Sequence, residues 1–145
     1  MKKMKSIRYG NALVCFCLAI VLLFSVAQAS DYEIHSLMAG QHINVGDVSV
    51  WNDADHLYVK YETRDGWYLI ESHVHFATSV DGIPQAEGNP IPGNFDYKME
   101  HDPKVLEYTY EMDLNGLEPG TIYIATHADV LLLDQKGKII QEESA

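Results

Sequence analysis

Beyond residue 29 the chain has no cysteine; its only two, Cys15 and Cys17, fall in the N-terminal stretch. Disulfide frameworks, thiolate metal sites and thiol catalysis are thereby excluded for everything that follows. Basic residues are scarce: ten lysines and arginines stand against twenty-one acidic residues, for a net charge of −11. No Gly-x-Ser-x-Gly elbow and no phosphate-cradling glycine loop occurs, which removes the usual sequence signs of a serine nucleophile or a nucleotide site. Helical periodicity is missing after the first segment. What remains is a series of alternating runs rich in Val, Ile, Tyr and Thr, with seven histidines scattered among them.

Residues 1–29 read as an export signal. Lys2, Lys3, Lys5 and Arg8 make a basic start, Leu13 to Val26 is apolar, and Ala27-Gln28-Ala29 offers small residues where a signal peptidase cuts. The competing reading is an uncleaved anchor helix, since Ala12 to Ala29 approaches spanning length. A lipid anchor is excluded because the apolar run follows Cys15 and Cys17 instead of preceding them. Cleavage leaves one domain, 30–145, secreted or periplasmic, with no stable membrane insertion. It also leaves six basic residues against twenty-one acidic ones, a net charge of −15. Such a surface repels nucleic acid and anionic lipid, attracts cations or basic partners, and keeps an exported protein soluble.

Strands are expected near residues 32–38, 42–51, 56–63, 67–79, 105–114, 121–133 and 138–142. Asn52-Asp53-Ala54-Asp55 and Arg64-Asp65-Gly66 are expected as hairpin turns joining the second, third and fourth, and 115–120 as another turn. About seven short strands imply an all-β fold, an antiparallel β-sandwich of Ig-like or jelly-roll-like type behind an N-terminal signal helix. Parity assigns Leu57, Val59 and Tyr61 to the core, and likewise Leu106, Tyr108, Tyr110, Met112 and Leu114. The run 121–133 carries apolar residues on both faces, which predicts a central strand and a buried His127. Between Asp81 and Lys104 lies one long connection, whose Pro84, Pro90 and Pro92 with Phe95 and Tyr97 predict an ordered cover.

The sharpest chemistry is Glu71-Ser-His73-Val-His75. In a strand from Trp67 to Ser79, Tyr68, Ile70, Val74 and Phe76 take one face, leaving Glu71, His73 and His75 on the other. Imidazoles at i and i+2 stand roughly 7 Å apart at their Cα atoms, within reach of a single ion. With His127 from the central strand they make a candidate Zn²⁺ or Cu²⁺ site, Glu71 serving as fourth ligand or as the acceptor that orients a ring. The plain alternative is a solvated outer face with His127 as a hydrogen-bonded core histidine. His42 and His101 have no spacing argument in their favour. Calcium could use Asn52, Asp53 and Asp55, or Asp81, Glu87, Asn89 and Asp96, though turn chemistry also explains the first group. Trp51, Tyr58, Trp67, Tyr68 and Tyr97 could offer an aromatic platform for a sugar or apolar ligand, Trp67 and Tyr97 foremost.

The order of landmarks is also familiar: Ala39-Gly40-Gln41-His42-Ile43-Asn44-Val45-Gly46, Val50-Trp51-Asn52-Asp53, Leu57 to Thr63, Gly66-Trp67, Glu71 to His75, Gly88 to Gly93 and Ile124 to Ala128. From Met38 to Val130 this resembles a domain of exported bacterial and archaeal surface proteins. The resemblance implies a β-sandwich and no particular reaction. In that pattern an aromatic-rich strand follows Glu142-Glu143-Ser144-Ala145, so an open sheet edge is expected here, inviting a homo-oligomer or another chain. The resulting expectation is a non-enzymatic binding or surface-interaction module with no catalytic residues and a protein or glycan partner. The alternatives are a metal-binding protein and a protein that binds or acts on polysaccharide.

Overall fold

The computed structural model describes residues 20–25 and 32–145. Its strands are β1 (Ile20–Ser25), β2 (Glu33–Ala39), β3 (Ile43–Asn52), β4 (His56–Thr63), β5 (Trp67–Ala77), β6 (Gln85–Ala86), β7 (Asn89–Pro90), β8 (Tyr97–Val105), β9 (Glu107–Asp113), β10 (Thr121–Leu133) and β11 (Ile139–Ser144). They form two antiparallel sheets packed face to face. One has the order β1-β10-β5-β8 with β11 also on β10, and the other the order β2-β3-β4-β9. The protein is an all-β sandwich, and each of the seven expected strands is present, with ends within two residues of expectation. The segment read as an export signal lies outside the described residues except for β1, which is extended and pairs with β10. No helix among the described residues is long and apolar enough to cross a membrane.

Alternation fills the space between the sheets. Val48, Val50, Leu57, Val59, Tyr61, Tyr110 and Met112 project from one sheet, and Leu69, Val74, Ile122, Ile124, Ala128 and Val130 from the other. Each such side chain contributes about 1.5–3 kcal/mol through removal from water. Tyr61 also ties the sheets together. Its hydroxyl, fully buried, donates to the His73 carbonyl at 2.6 Å and accepts from the His127 amide at 3.2 Å.

Four expectations are corrected. Arg64-Asp65-Gly66 does not close a hairpin, because β4 and β5 belong to different sheets. The turn is tight, with Asp65 and Gly66 both left-handed, but the Thr63 and Arg64 amides donate to Leu106 and Val45 across the chain's own sheet. Secondly, Trp67 and Leu69, not Tyr68 and Ile70, enter the core. The β5–β10 register steps from Leu69 to Glu71, so Ile70 is a bulge that reverses the parity of the strand. Thirdly, Leu106 is exposed, since it occupies the bend between β8 and β9 and only its carbonyl faces inward, to Thr63. Lastly, the connection after Asp81 ends at Asp96, where β8 begins. Charged residues and Pro103 near its end mark β8 as an edge strand.

Candidate functional site

The bulge leaves Glu71, His73 and His75 together on the face of β5 that points away from the sandwich core. Strand pairing sets His73 opposite His127, Glu71 opposite Asp129, and His75 opposite Ala125. The His73 and His127 rings meet edge to face, with centroids 5.5 Å apart. The result is two carboxylate–imidazole pairs side by side. Glu71 Oε1 lies 2.8 Å from His73 Nε2, and Asp129 Oδ1 lies 3.5 Å from His127 Nε2. The histidine face is not a solvated one: His73, His75 and His127 are all at most 8% exposed.

Segment 80–96 lies over His73 and His75. His73 Nδ1 donates to the Pro92 carbonyl at 2.8 Å and His75 Nε2 to the Gly82 carbonyl at 3.1 Å. Carbonyls only accept, which fixes those protons on the rings. The other nitrogen of the His73 ring, Nε2, faces Glu71 Oε1 at 2.8 Å. Phe95 and Ile83 pack on Ala125 beside the histidines, and a Cβ on Gly82 would come within 2.7 Å of the Ala77 methyl. The cover is therefore ordered and seated directly on the sheet. Hydrogen bonds fold it back on itself where β6 and β7 pair and where Ile91 donates to Pro84.

Two ring nitrogens remain uncommitted. His75 Nδ1 and His127 Nδ1 are buried without a hydrogen bond, although Asp96 Oδ2 stands 3.3 Å from the former, out of line. Among the described residues, no three His, Cys, Asp or Glu side chains are grouped so as to hold a metal ion. The Asp129 carboxyl is held below the usual carboxylate range, first by the His127 ring, then by the Ser144 hydroxyl at 2.6 Å, against the upward effect of burial. Beside it lies an open cleft of about 470 Å³, lined by Gly40, Ile70, Asp129, Val130, Glu142, Glu143 and Ser144.

Of the calcium candidates, Asp53 is otherwise engaged. Asp53 accepts from the Asp55 and His56 amides and from the Tyr58 hydroxyl, so its carboxylate closes the turn. Of the aromatic candidates, Trp67 is buried in the core, and Tyr97 is half-buried with its ring stacked on Phe76. The accessible rings form a row elsewhere, Tyr32 beside Trp51 at 5.8 Å and Trp51 stacked on Tyr58 at 5.2 Å.

One polar network was not foreseen. Ser72, on the core face of β5, bonds His101 Nε2 and the Tyr110 hydroxyl, each at 2.9 Å, and Tyr110 donates to the Ser72 carbonyl at 2.7 Å. The alternation of Tyr97, Met99 and His101 with Lys98, Glu100 and Asp102 was the signal that could have placed His101 on a strand facing inward. Burial holds its imidazole below the ordinary histidine range, against a smaller upward pull from Glu71. The unfolded chain therefore takes up this proton first. Stability should fall as pH drops below about 6.5 and go on falling until the folded ring protonates. In urea titrations at pH 5 and pH 7, His101→Asn should show a smaller difference between the two midpoints than the parent protein. An unchanged difference would count against the assignment.

The fold and this covered face define an antiparallel β-sandwich with a layer of clasped imidazoles. The chain matches no protein-family model, no curated protein and no solved structure.

Proposed function

We propose that the chain is an exported, non-enzymatic β-sandwich that works as a binding or surface-interaction module. The observation that carries this reading is the use to which the histidines are put. His73 and His75 spend ring hydrogen bonds on the carbonyls of the 80–96 cover, so the reactive-looking groups clasp a loop instead of lining a cleft. The surface left open beside them is acidic, with Asp129, Glu142 and Glu143 around one cleft, and suits a basic partner.

A metal-binding reading stands second, favoured by the two buried nitrogens without partners, His75 Nδ1 and His127 Nδ1. Calorimetric titration of untagged protein with Zn²⁺ and Cu²⁺ separates the two. A clasp predicts no stoichiometric uptake, and a His73→Ala/His75→Ala variant in which 80–96 exchanges amide hydrogens faster. Tight 1:1 uptake that His127→Ala abolishes would replace the first reading with the second.

A further inference from the structure

We propose that the Thr121–Thr126 edge of β10 is a strand-acceptor slot, which takes an extended apolar segment of a partner polypeptide once residues 1–29 have been cleaved. The proposal rests on the exported-module reading and names the kind of partner such a module would hold.

The inner side of β10 pairs with β5 along nearly its whole length, whereas its outer side is divided. β11 covers Asp129 to Leu133, and Ala145 exchanges two backbone hydrogen bonds of 2.6 Å with Ala128. Beyond that point β1 takes over, from Ile20 opposite Thr126 to Ser25 opposite Thr121. Both strands run antiparallel to β10, so β1 continues the line of β11 with only His127 between their ends. The slot is thus six residues long, fixed in direction, and has room for a strand.

Its composition is unlike that of the other edges. Thr121-Ile122-Tyr123-Ile124-Ala125-Thr126 has no charge and no proline. With β1 in place both of its faces are apolar: Ile122 and Ile124 lie in the main core, and Ala125 sits under Ile83 and Phe95. Sheet edges are ordinarily blunted by charge, proline or brevity. β8 carries Lys98, Glu100, Asp102, Pro103 and Lys104; β9 carries Glu107, Glu111 and Asp113; β2 carries Glu33 and His35; β11 carries Glu142 and Glu143. Once β1 is gone, the stretch it covered is the one edge of the two large sheets that lacks such a device among the described residues. Its occupant, Ile-Val-Leu-Leu-Phe-Ser, belongs to the segment read as the export signal, and cleavage would uncover the edge. The segment seated there sets the chemistry of the occupant, an uncharged apolar strand. The β2, β8, β9 and β11 edges of a second copy are charged, and pairing of two copies through Thr121–Thr126 is the outcome the test must exclude. Main-chain hydrogen bonds would supply the affinity and alternate side chains the selectivity.

The test uses the product exported from the full gene, with its N-terminus fixed by intact mass. It is titrated with a synthetic Ile-Val-Leu-Leu-Phe-Ser peptide flanked by lysines, and with two versions N-methylated on alternate residues. The cleaved product should bind the parent peptide saturably. One methylated version, the one whose blocked amides face β10, should bind about tenfold more weakly or worse, the loss expected from two or three missing hydrogen bonds. Cleaved protein that shows no saturable binding, binds both methylated peptides as tightly as the parent, or is already a homodimer sealed through this edge overturns the slot and leaves the module reading intact. An exported product that retains residues 1–29 overturns the slot alone, because β1 then keeps its place on β10; a product that is not exported overturns both.

Discussion

Replacing Gly46 with alanine should cost the fold about 3 kcal/mol or more, at the upper end of what overpacking does. β3 is hydrogen-bonded on both sides at this point, to Leu37 of β2 and Thr63 of β4. A methyl group on Gly46 would overlap the Glu62 carbonyl oxygen and stand 2.8 Å from the Thr63 Cα. Both obstacles are backbone, so no rotamer change relieves them, and β3 and β4 would have to part. Gly93→Ala is the matched control, because nothing lies within 4 Å of the added methyl group. Urea denaturation should show a large drop in midpoint for Gly46→Ala and almost none for Gly93→Ala. Equal midpoints would mean that the close approach of β3 and β4 is absent in solution.

Tyr61→Ala should be comparably damaging, at about 3–5 kcal/mol, because it opens a cavity where the most buried large ring of the core stood. Tyr61→Phe isolates the hydroxyl. Its removal takes a hydrogen bond from the His73 carbonyl and an acceptor from the His127 amide, both inside the sandwich. A loss of about 1–3 kcal/mol is expected for leaving such groups unpartnered. Burial holds the phenol well above its ordinary titration range, so the hydroxyl keeps its proton at neutral pH. The informative readout is the imidazole NMR signals of His73 and His127. They should shift in Tyr61→Phe, whereas the signals of exposed His42 should not. Shifts in neither, together with an unchanged midpoint, would remove Tyr61 from its role as the anchor of the histidine face.

Much of this fold was legible because half-buried antiparallel strands write their faces directly into the sequence. His56 to Thr63 and Thr121 to Leu133 were found residue for residue, the first through its uninterrupted alternation and the second through a run apolar on both faces. β8 was hidden because Lys98, Glu100, Asp102 and Pro103 make an edge strand resemble a loop. The grouping of Glu71, His73 and His75 on one face followed from period-two spacing, and their pairing with His127 from its place on the central strand. The cover was expected to be ordered, but not that its carbonyls would take the imidazole protons, since parity says nothing about which loop lies over a face. Nor did it signal the bulge at Ile70, because one inserted residue has no mark in composition and is visible only through its partner strand.

That single extra residue acts as a phase shift within β5. Before it, odd-numbered positions feed the sandwich interior, and Trp67 and Leu69 take them. After it, odd-numbered positions serve the opposite side, and the acid and its two imidazoles occupy them. Excising Ile70 would put the two halves of the strand back in step. Either the indole would be carried out onto the opposite face of the sheet, or the imidazoles would be driven in among valines and isoleucines. One strand supports an oily interior and a polar exterior layer in succession because its count is deliberately off by one.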